Sequence, residues 1–270
     1  MSQRLLTSGI SEPATPFMAK PLTRWKASAI HLSICALIAL SVLAWMLFVW
    51  YPSPYFEAVG GSKLSMTIIG VDVVIGPLIT LIIYNPAKKS LRFDLSVVAL
   101  LQLGALVYGI YVVYEARPVY VVFNVDRFDV VAANELEPAE RKKVSRPEYR
   151  SLPLNGPRIV AAVLPADPKE RERILFSAVG AGYDLPNFPQ YYVPYKEQTA
   201  QAIARSRPLD ALEQKRAEAE PQLAALKKEF AEHANDLGFL PVRARKKDLT
   251  AIIDRKTGEV VKILSIDPWV

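Results

Sequence analysis

Residues 64–84 read LSMTIIGVDVVIGPLITLIIY, an apolar run long enough to cross a bilayer, with a charge, Asp72, near its middle. An ionised side chain at that depth costs at least about 2.5–3.5 kcal/mol on insertion scales, so it has a partner or a task. Gly70, Gly76 and Pro77 stand close to it. On a helix, Ser65, Asp72, Gly76 and Thr80 fall on one face and form a small, polar stripe. Such a stripe lets a second helix approach closely and hydrogen-bond. It either packs against other helices of this chain, satisfying Asp72 within a three-helix bundle, or receives a foreign transmembrane helix.

Two further runs flank it. The first, about 27–50, follows Arg24 and Lys26 and ends in Trp45, Trp50, Tyr51 and Pro52. It exceeds the roughly 7–15 apolar residues of a cleaved signal, and its aromatics suit an interfacial belt, so it predicts an uncleaved span. The third, about 95–114, carries Tyr108, Tyr111 and Tyr114 near its end. The first span offers Ser28, His31 and Cys35 on one face, and the third offers Gln102 and Gly109. His31 lies near the start of its span and reads as an interfacial, snorkelling side chain. Residues 1–23, with Ser, Thr and several prolines, read as a disordered tail.

Charge sets the orientation. The chain of 270 residues has a net charge of +6. Eight Lys/Arg and four Asp/Glu precede residue 115, leaving a nearly neutral remainder without a basic face for nucleic acid. Seven of those eight bases lie in the N-terminal tail and the 85–94 loop, and only Lys63 lies between the first two spans. Positive charge stays cytoplasmic, so the N-terminus is predicted inside and residues 116–270 outside, in a periplasm if the cell is Gram-negative.

Residues 116–270 read as a soluble α+β domain. Val119–Val125 and Arg127–Ala132 are rich in Val, Phe and Tyr, as strands are, and IVAAVLP reads as a buried strand. Asp167 and Pro168 open a helix. Gly180–Tyr195 is irregular and dense in Tyr and Pro. From Lys196 to about Leu237 the pattern is helical, broken near Pro208, with a stripe of Leu223, Leu226, Phe230, Ala234 and Leu237 and Gly238 as its cap. Residues Thr250–Ile253 and Glu259–Leu264 flank a turn, DRKTG.

Chemistry is sparse. His31 and His233 form no ligand cluster, Cys35 sits in a span, and no phosphate-binding glycine loop occurs, so neither a metal, a cofactor nor a soluble enzyme is expected. Asp126 and Asp129 read as solvated charges at a strand turn, with acid/base work or cation binding as the alternative. Tyr191, Tyr192 and Tyr195 read as core aromatics or as an exposed contact patch for a partner.

The run YPSPYFEAVGG at 51–61, followed by GVDVVIGPLITLIIYNPAKKSLRFDL and ARPVY leading into DRF, resembles the TfpX/TfpZ family of type IV pilin accessory proteins. The likeness covers about Trp50–Leu136, and no catalytic residues are assigned to that family. It implies a non-enzymatic protein of the bacterial inner membrane that promotes assembly, or sets surface levels, of a cognate major pilin. Its expected partners are that pilin, the pilus assembly platform and inner-membrane lipids. Ser65, Asp72, Gly76, Thr80 and Gln102 are the candidates for helix recognition. Asp126, Asp129, Tyr191 and Tyr192 are the candidates for contact outside the membrane. The alternative is a membrane-bound pilin-modifying transferase; a transmembrane sensor would need a cytoplasmic output module, for which the inner segments are too short.

Overall fold

The computed structural model describes residues 22–136, 138–214, 220–231 and 233–269. The predicted tail lies almost wholly outside them. Three helical segments, Arg24–Trp50, Gly61–Ile83 and Leu91–Glu115, are long and apolar enough to cross a membrane. Helix α1 (Arg24–Trp45) starts where Thr23 accepts a hydrogen bond from the Lys26 amide at 3.3 Å, and it runs on through a π-helical turn, Met46–Trp50. A short helix, α2 (Tyr55–Ala58), follows Pro54. Gly60, at φ +85°, then turns the chain into the second span.

That span is not a uniform α-helix. It comprises α3 (Gly61–Ile69), a π-helical stretch Gly70–Ile75, and α4 (Gly76–Ile83). Pro77 cannot donate to the carbonyl four residues back, and its ring crowds that carbonyl. A widened turn just before it is one way a helix absorbs the missing bond. The third span is α5 (Leu91–Glu115), and the Lys88 ammonium lies 2.5 Å from Asp94 in its first turn. Leu37, Phe48, Met66, Ile82 and Leu100 are exposed, as lipid-facing side chains must be.

The remaining chain forms one mixed sheet with helices. Its elements are β1 (Pro118–Asn124), β2 (Arg127–Ala132), α6 (Pro138–Arg141), β3 (Arg158–Ala162), α7 (Pro168–Gly180) and β4 (Tyr192–Pro194). Then come α8 (Thr199–Arg205), β5 (Arg207–Pro208), α9 (Leu209–Glu213), α10 (Glu220–Glu229), β6 (Leu237–Arg243), β7 (Leu249–Asp254) and β8 (Val260–Leu264). The strand order is β4-β3-β1-β2-β6-β7-β8, with β5 paired to β6. β1 pairs antiparallel to β2 and parallel to β3, and β2 runs parallel to β6. As expected, the Asp167 carboxylate caps α7, accepting from the Lys169 amide at 3.0 Å.

Alternation along the strands builds two faces. Val121, Phe123, Leu240, Val242, Ala251 and Ile253 share one core. Tyr120 and Val122 point the other way, against Ile174 of α7 and Phe188, while Phe239 and Ile252 meet Leu212, Leu223 and Leu226 of α9 and α10. The Tyr195 hydroxyl donates to the Gly258 carbonyl at 2.7 Å, tying the β4 end of the sheet to the β7–β8 turn. The first core also contains Tyr55 and Ala58 from α2, so the loop between the first two spans is part of the domain interior.

Two sequence expectations change here. The helix α10 stops at Glu229, and Leu237 opens a strand. Gly238 does not cap a helix: it lies in β6, where a Cβ would come 2.9 Å from the Arg207 carbonyl oxygen as β5 crosses. Leu223, Leu226, Phe230, Leu237 and Phe239 all meet in one cluster, so a helix and a strand satisfy jointly what reads as a single stripe.

Candidate functional site

The polar stripe of the second span faces inward. Ser65, Asp72 and Thr80 are all buried, and Asp72 is only 7% exposed. Most of the stripe is engaged by the chain's own helices. Ser65 donates to the Ser62 carbonyl at 3.0 Å. The Ser28 hydroxyl donates to the Pro77 carbonyl at 2.8 Å, and His31 Nδ1 lies 2.6 Å from Thr80 Oγ1. His31 therefore turns into the bundle rather than snorkelling to the interface, because Thr80 offers a hydrogen-bonding group at its depth. Gly76 admits Gln102: a Cβ there would stand 1.8 Å from Gln102 Nε2. Gln102 Nε2 donates to the Asp72 carbonyl at 3.3 Å and lies 3.8 Å from Cys35 Sγ.

Two acceptors remain. Asp72 Oδ1 and Gln102 Oε1 are buried and have no hydrogen-bond partner. Both residues line a cleft of about 200 Å³ with His31, Cys35 and Ile38 of α1 and Leu103 and Leu106 of α5. The second span forms its floor, and α1 and α5 form its walls. An unsatisfied carboxylate oxygen in an apolar surround is a strong acceptor site for an N–H or O–H donor. No group of three or more His, Cys, Asp or Glu able to hold a metal ion occurs among the described residues.

Outside the membrane the candidates separate. Asp126 is exposed at the β1–β2 turn, while Asp129 is buried. Arg127 stands between them, 3.6 Å from Asp126 and 3.5 Å from Asp129, and Arg243 Nε reaches Asp129 Oδ1 at 2.6 Å. Burial pushes the Asp129 carboxyl above its ordinary range, and the Arg243 and Arg127 guanidiniums pull it part of the way back. These are ion-paired carboxylates rather than a facing acid/base dyad. Arg243, supplied by the parallel β2–β6 pairing, carries no local sequence signal linking it to Asp129.

The tyrosines do not form an exposed patch. Tyr192 is 2% exposed and donates to the Pro186 carbonyl, so it cannot meet a partner. Tyr191 is half-buried, its hydroxyl 2.5 Å from Glu170 Oε2. The aromatic contacts of Tyr192 with Tyr120 and Tyr149 build the core beneath α7.

Fold and cleft together define a membrane protein with three apolar spanning helices, a polar notch among them and an appended α+β domain. The family described as fimbrial assembly protein FimB matches residues 21–60. The chain is 34% identical over 186 residues to the fimbrial assembly protein of serogroup I from Dichelobacter nodosus, covering 68% of this chain and 72% of that protein. It is 40% identical over 113 residues to the fimbrial assembly protein of serogroups C1 and C2 from the same organism, covering 41% of this chain and 86% of that one. The chain belongs to this family of fimbrial assembly proteins. No solved structure matches it.

Proposed function

We propose that this chain is a non-enzymatic accessory factor of type IV pilus assembly, of the TfpX/TfpZ kind, in a bacterial inner membrane. Its N-terminus is cytoplasmic and its α+β domain periplasmic, following the distribution of Lys and Arg around the spans. The cleft between α1 and α5 takes the apolar helix of a pilin subunit before that helix enters the fibre. A donor on the incoming helix reaches Asp72 Oδ1 and Gln102 Oε1, and the periplasmic domain meets the subunit head or the assembly platform. The observation that carries this reading is the pair of buried, unpartnered acceptors lining a cleft open between two spans, Asp72 on its floor and Gln102 on its α5 wall.

The test is photo-crosslinking in piliated cells. Crosslinkers at Ile38 and Leu103, which line the cleft, are expected to capture the pilin subunit, and capture should fall with Asp72→Ala. A crosslinker at Phe48, which is 83% exposed, is the lipid-facing control. Capture of α1 and α5 alone would remove the cleft from the mechanism. Pilin of unchanged mass in cells lacking the protein, together with lost piliation, separates assembly from covalent modification.

A further inference from the structure

The last residue of β6 and the loop that leads to β7 read RARKKD, Arg243 to Asp248, with four bases among the first five residues. Its place relative to the bilayer is fixed by backbone contacts. The amides of Lys246 and Lys247 both donate to the Ala58 carbonyl, at 2.8 and 3.2 Å. Ala58 lies in α2, in the ten residues that join the first span to the second. The Lys246 stem passes over Gly60, its Cγ 3.0 Å from where a Cβ on that glycine would stand, one residue before the second span begins. The loop is therefore held at the membrane boundary, on the side of the bilayer that carries the α+β domain.

The side chains suit that place. Arg243 and Arg245 turn to Asp129 and Glu135. Lys246 and Lys247 are exposed, and among the described residues no carboxylate pairs with either ammonium. Beside them the chain end returns to the same loop: the Trp269 indole donates to Asp248 Oδ2 at 2.6 Å while the ring stays half exposed. Tryptophan at headgroup depth and lysines just outside the hydrocarbon are the two side-chain types that anchor protein to an anionic bilayer surface.

We propose that Lys246 and Lys247, with Trp269 beside them, form a binding surface for the phosphate headgroup of anionic phospholipid in the leaflet next to the α+β domain. The occupant is a lipid rather than a soluble anion because the loop is hydrogen-bonded to the connection between two spans. It does not depend on the pilin-binding cleft, which lies within the spans.

The test uses the full chain purified in dodecylmaltoside, titrated with dioleoylphosphatidylglycerol or dioleoylphosphatidylcholine, with retained lipid counted by native mass spectrometry. The unaltered protein should retain phosphatidylglycerol in preference to phosphatidylcholine. Lys246→Gln/Lys247→Gln should weaken phosphatidylglycerol binding about 25-fold, at about five-fold per lysine, and leave phosphatidylcholine retention unchanged. Lys246→Arg/Lys247→Arg should retain the preference, and Lys196→Gln, remote from the loop, should leave it intact. Equal retention of the two lipids by the unaltered protein would overturn the proposal, as would equal phosphatidylglycerol affinity in the glutamine pair. Displacement of the lipid by inorganic phosphate at tens of millimolar would reassign the surface to soluble anions.

Discussion

A methyl group added to Gly76 would lie 1.8 Å from Gln102 Nε2 and 2.5 Å from its Cδ. Ordinary contact begins near 3.4 Å, so the amide must withdraw by about 1.6 Å. Gln102 is long and its amide is the mobile end, so it can withdraw, and the penalty falls on the bonds it leaves. Those are the 3.3 Å bond to the Asp72 carbonyl and the 3.8 Å contact with Cys35 Sγ. Interhelical hydrogen bonds in membranes average about 0.6 kcal/mol and reach about 1.7. With the loss of close packing added, Gly76→Ala should destabilise the bundle by about 1–2 kcal/mol. In a Gln102→Ala background the obstruction is gone. The same Gly76→Ala change should then be neutral or stabilising, because alanine favours a helix over glycine by up to about 1 kcal/mol. The four proteins of this cycle can be unfolded in dodecylmaltoside micelles with rising dodecyl sulfate and followed by circular dichroism. If Gly76→Ala costs the same in both backgrounds, the contact between the second and third spans is not as described.

Two further outcomes follow from the α+β domain and its junction. Glu140 is buried, and burial alone would raise its carboxyl; bonds from Lys143 at 2.7 Å, from Gln190 and from Arg173 at 3.2 Å outweigh this and hold it below the usual range. A depressed carboxyl contributes stability that is present above its ordinary value of 4.5 and is lost as pH falls through the folded-state value. Glu140→Gln should therefore cost about 1.5–3 kcal/mol at pH 7, with the gap from the unaltered protein closing below about pH 4.5 in thermal melts of both. Tyr55 belongs to the interspan loop yet packs with Phe123, Phe128 and Leu240. Tyr55→Ala should cost about 3–5 kcal/mol, read as faster amide hydrogen exchange in β6 and β7, and unchanged exchange there would show that α2 is not part of that core.

The spans were legible because length, hydropathy and the K/R distribution act on whole segments. The inward stripe of the second span was legible because Ser65, Asp72 and Thr80 recur at helical spacing, and all three are buried. What escaped the sequence depends on distant partners. Nothing local tells that His31 meets Thr80, 49 residues on, or that Arg243 reaches Asp129. The π-helical stretch had a signal in Gly70, Gly76 and Pro77, though glycines and a proline announce a weak point in a helix without saying which form it takes. The stripe over α10 misled because period alone cannot tell one long helix from a helix and a strand that bury into the same cluster. Tyr192 and Tyr195 read more readily as core than as an exposed patch, and both are buried; for Tyr192 this follows from the pairing of β4 with β3, which no spacing encodes.

The junction between membrane module and domain has its own consequence. The Tyr51 hydroxyl donates to the Val113 carbonyl at 2.6 Å, locking the end of the first span to the end of the third. Arg117, the last residue before β1, is 2% exposed, lies over the Tyr114 ring at 3.6 Å and donates to the Tyr114 carbonyl at 2.6 Å. Gly156 lies against Pro52, and Ala58 accepts from Lys246 and Lys247. The second span, which carries Asp72, is thus held at its Gly61 end by the domain core rather than by a loose tether. A helix entering the cleft and displacing that span must also strain α2 and the β6–β7 loop, so the cleft and the domain are mechanically one unit. A fragment starting at Arg117 lacks Tyr55 and Ala58 and opens a gap in the core it is meant to represent, so its failure to support assembly would not by itself assign that role to the spans.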